Sequence, residues 1–229
     1  MSTVIITGAN GNLGLVVTEH LLSVGYRIIA ITGPGGAGQL PRHSSLITKE
    51  ADLGNEHKTD ELVTSLADQY PDIKAAVLLV GGFAMGRLQQ TSDEMLEHMI
   101  RLNFFTAFHM VRPLFSWFEK SNAGGQFILT GSRPALIPHE GTAFFGYSLS
   151  KAMVVGLAGY INAEGADKNI TASVIVPTTI DTPANRKAMP QADFARWVSP
   201  VHIAESIAFC LSGAGKNLQN NILFLGKPS

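Results

Sequence analysis

The chain has 229 residues, 45% of them apolar and 15% charged, with a formal net charge of −1. That length can enclose one sizeable core, so a single domain over 1–229 is expected. Near-neutral charge without a basic run excludes nucleic acid as the main ligand, and the longest apolar run, residues 75–80, is far too short to span a bilayer. The lone cysteine, Cys210, excludes a disulfide framework and reads as a small buried hydrophobe. The seven histidines show no metal-ligand spacing, so no metal site is expected. The N-terminus enters an apolar strand without a basic region and cleavage site, so no signal peptide is read there. The expectation is a soluble, cytoplasmic protein.

Residues 3–6 form a short β-branched strand, followed by Thr7-Gly8-Ala9-Asn10-Gly11-Asn12-Leu13-Gly14. Leu15, Val16, Leu21 and Leu22 then recur with helical spacing up to Gly25, a helix C-cap. Strand, glycine turn and helix form the context in which such glycines have meaning. Gly8 permits the tight turn, Gly11 lets the backbone approach a pyrophosphate, and Gly14 allows close helix packing. The helix N-terminus supplies amides and a favourable dipole for the phosphates.

A second strand, 27–32, leads into residues 33–38, which also fit G-x-G-x-x-G. Pro41 and a polar stretch follow instead of a helix, so this run is read as a flexible loop and a decoy. Thr32 stands where a carboxylate would bind the ribose of NAD(H), with Arg42 and His43 a short loop away. Without that acidic residue a 2′-phosphate meets less repulsion, and NADP(H) is favoured over NAD(H).

A third strand at 45–49 precedes Asp52-Leu53, and a second helix is marked by Leu62, Val63, Leu66 and Ala67. The fourth strand, 75–80, is apolar throughout and ends in Gly81-Gly82, as expected where helices cover both sheet faces. A long helical region at 92–118, bent near Pro113, comes next. The fifth strand, 126–130, ends at Gly131-Ser132, and a loop with Pro134 and Pro138 leads to the helix of Tyr147 and Lys151. The sixth strand, 171–176, stops at Pro177. An irregular stretch, 178–199, separates it from a last helix at 201–211 and a final strand at 222–225. The alternation implies a single α/β domain, a Rossmann-type doubly wound parallel sheet of about seven strands. Gly8, Thr32, Gly81, Ser132 and Pro177 all fall at strand carboxyl ends, where ligands bind in such sheets.

Tyr147 and Lys151 are four residues apart and share one helix face. Tyrosine has an ordinary pKa of about 10. A nearby ammonium would lower it and let the pair pass a proton near neutral pH. That spacing alone could arise by chance; its neighbours give it context.

Those neighbours make the chain resemble the short-chain dehydrogenase/reductase family over nearly its whole length. The resemblance is carried by Thr7-Gly8, Gly11 and Gly14, Asp52-Leu53, Gly81-Gly82, Asn103, Ser132, Tyr147-x-x-x-Lys151, and Pro177 with Thr182. It implies that Tyr147 is the general acid and base and that Lys151 lowers its pKa while holding the nicotinamide ribose. Ser132 would hydrogen-bond the substrate oxygen, Asn103 would support a water-linked proton path, and Asp52 would lie near the adenine. Asn10, Asn12, Leu13, Leu53 and Thr182 complete the implied cofactor contacts. The two-residue gap between Gly8 and Gly11, Gly81-Gly82, and the run at 180–194 resemble the dihydropteridine reductase branch. That branch typically lacks the catalytic Ser and Asn and carries an acidic residue at the position of Thr32.

The expected activity is therefore NAD(P)H-dependent reduction of a small carbonyl compound, with a quinonoid dihydropteridine reductase as the alternative. A non-catalytic dinucleotide sensor is the rival class, and intact Tyr147, Lys151 and Ser132 weigh against it. Residues 178–199 read as a substrate flap in which Asn185, Arg186 and Lys187 face a polar substrate or cofactor phosphates. A homodimer or homotetramer is expected through the long helix and the Tyr147 helix, as in related reductases.

Overall fold

The structure, a computed structural model, describes residues 2–122, 124–215, 218 and 221–226. In chain order it contains β1 (Thr3–Thr7), α1 (Asn12–Ser23), β2 (Arg27–Thr32), β3 (Leu46–Glu50), α2 (Glu56–Gln69) and β4 (Ile73–Leu78). There follow α3 (Asp93–Ile100), α4 (Thr106–Lys120), β5 (Gly125–Thr130), α5 (Arg133–Leu136), α6 (Phe145–Gly165) and β6 (Ile170–Pro177). The chain closes with α7 (Pro183–Ala188), α8 (Pro200–Leu211) and β7 (Asn221–Leu225).

The strands form one sheet of order β3-β2-β1-β4-β5-β6-β7, and every pairing is parallel. Parallel neighbours need crossovers, and alternate strand residues feed two separate cores. Ile5, Phe127, Leu129 and Val174 pack with Val63, Met110, Leu114 and Val154 from α2, α4 and α6. Val4, Ile6, Ile128 and Ile175 pack on the other face with Val17 and Leu21 of α1 and Ile203 and Ile207 of α8. The apolar strands thus bury both faces, as the sequence predicts. All carboxyl ends consequently lie along one edge.

Three expectations change. The helix expected to run from 92 to 118 is interrupted by a π-helical turn at Arg101–Phe105, whereas Pro113 lies inside regular α4. Such turns carry an extra residue and commonly reorient a side chain; here the turn contains Asn103. The Pro134–Pro138 loop is largely ordered, as α5 and a 3₁₀ turn at Pro138–Gly141. Residues 178–199 are likewise structured, with α7, a 3₁₀ turn at Phe194–Arg196 and a bridge between Ile180 and Val198. No helix among the described residues is long and apolar enough to cross a membrane.

Phe118 and Phe127 are fully buried and meet edge to face at 5.5 Å. Gly125 lies against them: a Cβ there would fall 2.3 Å from the Phe118 ring. The packing leaves little room for collapse after truncation. Phe127→Ala is expected to lower stability by about 3–5 kcal/mol, measured by urea denaturation.

Candidate active site

The glycine turn between β1 and α1 forms one end of the site. Gly8 has φ +64°, and a Cβ on Gly14 would lie 2.1 Å from the Gly8 carbonyl oxygen, so the helix and turn meet backbone to backbone. Gly11 is the N-cap of α1 and supplies no capping side chain. The first helical bond is donated by Leu15 to Gly11 at 2.9 Å, which leaves the preceding amides without intrahelical acceptors. Asn12, Leu13 and Gly14 carry those amides, the groups an anionic phosphate requires.

Beside this turn a cleft of about 310 Å³ is lined by Gly8, Thr32, Asp52, Leu53 and Val80, among others. Thr32 is buried, yet its Oγ1 has no hydrogen-bond partner. Asp52 Oδ1 accepts the Gly54 amide at 3.0 Å, shaping the turn at the cleft wall. Unused amides, an unpaired buried hydroxyl and a backbone cradle that a Cβ would fill together fit a dinucleotide. Asn10 stands over the turn: a Cβ on Gly36 would lie 2.5 Å from its Nδ2 and 3.0 Å from Thr32 Cβ. The glycine loop at 33–38 therefore folds onto the cleft, and Gly33 and Pro34 line it. Glu50, paired in register with Thr32, anchors the loop by accepting the Gly35 and Ala37 amides at 3.1 and 3.2 Å. His98 and Arg101 also line the cleft. Neither was legible from strand ends, because both reach it from the α3 region and its π turn.

Asn103, Lys151 and Gly81 converge at the end of β4. A Cβ on Gly81 would fall 2.6 Å from Asn103 Oδ1 and 3.1 Å from Lys151 Nζ, and one on Gly82 would meet Leu102 Cδ2 at 2.4 Å. Asn103 Oδ1 accepts the Gly82 amide at 2.9 Å, and its Nδ2 donates to the Gly82 carbonyl at 3.2 Å and to Ser150 Oγ at 3.0 Å. Ser150 in turn donates to the Tyr147 carbonyl at 2.8 Å. Asn103 thereby ties the end of β4 to the helix of Tyr147 and Lys151, and its side chain is engaged in doing so.

Lys151 is buried, and its Nζ donates to the Thr130 carbonyl at 2.8 Å. Burial lowers its pKa to about 8, so the ammonium persists at neutral pH. Burial raises the Tyr147 pKa above its ordinary value, an effect partly offset by the nearby Ser132 hydroxyl. This corrects the expected downward shift: desolvation of the phenolate outweighs the benefit of a lysine on the same helix face. Ser132 is buried at the N-cap of α5, but its Oγ makes no capping bond and has no partner of hydrogen-bonding geometry. A hydroxyl left unpaired beside Tyr147 can serve an incoming acceptor.

Arg133 and Glu140 brace this arrangement. Their bidentate contacts of 3.0 and 2.6 Å join the residue after Ser132 to the turn before α6. Each group shifts the other away from neutrality, the guanidinium upward and the carboxyl downward. Further along the edge, Pro177 ends β6, and Thr182 is buried with its Oγ1 accepting the Asn185 amide at 3.2 Å as the cap of α7. Asn185 also donates to the Ile180 carbonyl at 2.8 Å, and Arg186 pairs with Asp181 at 2.6 and 2.8 Å. Asn185 and Arg186 thus make contacts within the 178–199 segment, Arg186 with about half of its side chain exposed, and Lys187 is exposed.

Residues 2–193 match the family described as short chain dehydrogenase. A dihydropteridine reductase of Dictyostelium discoideum is 28% identical over 212 residues, covering 89% of this chain and 85% of that protein. The 3-oxoacyl-[acyl-carrier-protein] reductase MabA of Mycobacterium bovis is 27% identical over 184 residues, covering 80% and 71%. Among solved structures, the 3-ketoacyl-(acyl-carrier-protein) reductase of Brucella melitensis, complexed with NADH, superposes with a TM-score of 0.85 at 18% identity, covering 98% of this chain and 96% of that one.

The Lys151 environment has a pH signature. Below about pH 8 both native and unfolded chains carry the proton, and burial of the charge opposes folding. Between about 8 and its ordinary value of 10.5, the native chain has lost a proton that the unfolded chain keeps, so stability rises with pH. Over that window the wild type should gain at most about 3 kcal/mol relative to Lys151→Met, measured by denaturation at stepped pH.

Proposed function

Because the chain belongs to the short-chain dehydrogenase family of NAD(P)-dependent oxidoreductases, we propose that it reduces a small carbonyl compound with Tyr147 as the acid. The observation that carries this reading is the unpaired Ser132 hydroxyl beside Tyr147, with the buried Lys151 ammonium on the same helix one turn on. Bound NAD(P)H supplies the hydride. Gly8, Gly11 and Gly14 with the α1 amides would hold its phosphates, and Thr32, Asp52 and Leu53 would border its adenosine half. Ser132 donates a hydrogen bond to the substrate oxygen, where negative charge develops. Tyr147 delivers its proton to that oxygen, and the Lys151 cation stabilises the phenolate left behind. Asn103 acts as the brace that keeps Gly82 and α6 in register. In the reverse direction the same groups accept the proton.

Reduction of a quinonoid dihydropterin is the second reading. It is supported by the likeness to the Dictyostelium reductase over 89% of the chain and by Gly81-Gly82 at the β4 end. The protein works as a homodimer or homotetramer through the outer faces of α4 and α6. A groove of about 780 Å³ lies there, lined by Phe104, Phe108, Phe115, Leu157 and Tyr160, and Tyr160 is 72% exposed. Such an area of apolar surface fits a second copy of the chain.

Tyr147→Phe is expected to lower kcat by about 10²–10⁴-fold on any turned-over carbonyl substrate, and wild-type turnover by that variant would remove the acid role. Thr32 in place of an acidic residue favours NADPH. Fluorescence titrations with NADPH and NADH should show tighter NADPH binding; a clear NADH preference with turnover of quinonoid dihydropterin would favour the second reading.

A further inference from the structure

The loop after Gly82 exposes three large apolar side chains: Phe83, Met85 and Leu88 are 57%, 65% and 67% accessible. Its backbone is pinned. Gly86 donates to the Ala143 carbonyl at 2.9 Å, and Phe145 donates to the Gly86 carbonyl at 2.8 Å, tying the loop to the residues that open α6. Large apolar groups held in the open gain nothing from the chain's own core and mark contact with something else.

Their position narrows what that is. The Phe83 ring centroid lies 5.0 Å from Tyr147 and 5.4 Å from Phe144, and Phe144 lies 6.2 Å from Tyr147. The three pairs are inclined at 56–67°, so ring edges meet ring faces. More than half of Phe83 stays open to a further ring in the same edge-to-face or offset geometry. The Tyr147 hydroxyl belongs to this cluster and the Ser132 hydroxyl lies beside Tyr147, a pair that suits a single oxygen on an otherwise apolar body.

We propose that Phe83, Phe144 and the Tyr147 ring form an aromatic recess selecting a planar, conjugated ring whose carbonyl is presented to the Tyr147 and Ser132 hydroxyls. The inference rests on the reductase reading and names its substrate class: aryl or ring-conjugated ketones and aldehydes, ahead of saturated analogues of equal size. In the reaction the carbonyl carbon gains the hydride and its oxygen the Tyr147 proton, giving an alcohol and the oxidised cofactor.

Calorimetry on the Tyr147→Phe protein loaded with oxidised cofactor tests the recess without turnover, since that variant keeps the ring. 1-Phenylethanol should bind about tenfold more tightly than 1-cyclohexylethanol, a control of similar size with a puckered ring and no π face. Phe83→Leu in the same background should bring the two affinities together, whereas Phe83→Trp should keep them apart; an unchanged melting temperature checks the fold of both. Equal affinities before the Phe83 substitution, no binding of either alcohol, or a gap unaltered by Phe83→Leu would overturn the proposal. Turnover is read separately with acetophenone and cyclohexyl methyl ketone on the wild type. An aryl preference in binding without turnover of either ketone would reject the reductase reading and leave the recess standing.

Discussion

Two glycines without side chains govern the geometry of this site. Because neither Gly81 nor Gly82 has a Cβ, Asn103 Oδ1 and Lys151 Nζ can close on the end of β4, and Leu102 can lie over it. Asn103 then exchanges hydrogen bonds with both backbone groups of Gly82 and reaches Ser150 on α6. The π turn at Arg101–Phe105 places it there. A methyl group at Gly81 would force apart the contact through which the sheet edge, the π turn and the Tyr147 helix share one frame.

Within that frame two groups are held in states that water would not favour. Lys151 is a cation buried with a carbonyl partner in hydrogen-bond reach, and Ser132 keeps an unpaired hydroxyl. Both oppose stability, and in the proposed reduction both serve an oxygen acquiring charge. Tyr147 is neutral at neutral pH in water as well, and burial extends that neutrality to higher pH. The Arg133–Glu140 pair resists relaxation by linking the residue after Ser132 to the turn before α6. It is half-shielded from water, which makes it stronger than an exposed pair and suits a brace more than a source of net stability.

Two structured segments follow strand carboxyl ends on the edge where the candidate site lies. One is the pinned aromatic loop beside Tyr147. The other is the 178–199 segment, where the Arg186 guanidinium pairs with Asp181 and lies 4.8 Å from the Phe194 ring, itself 4.7 Å from Trp197. These contacts are internal to the segment and give it a defined local structure.

The succession of strands and helices and the glycine turn were legible along the chain, because each depends on local spacing, and spacing beside strand ends also singled out Ser132 and the Tyr147–Lys151 pair as candidates. The apolar run at 75–80 announced a strand covered on both faces, and Gly14 announced close helix packing. Other features depend on residues far apart in sequence. The pKa of Tyr147 rises because neighbours from several elements exclude water, and no spacing reports that sum. Arg101 reaches the dinucleotide cleft, and Phe83 reaches Phe144, only after the crossovers bring their segments to one edge. Local backbone chemistry thus wrote the elements and the candidate site residues into the sequence, while burial and long-range contact set the charge states and the braces, since these energies exist only between groups that the fold has brought together.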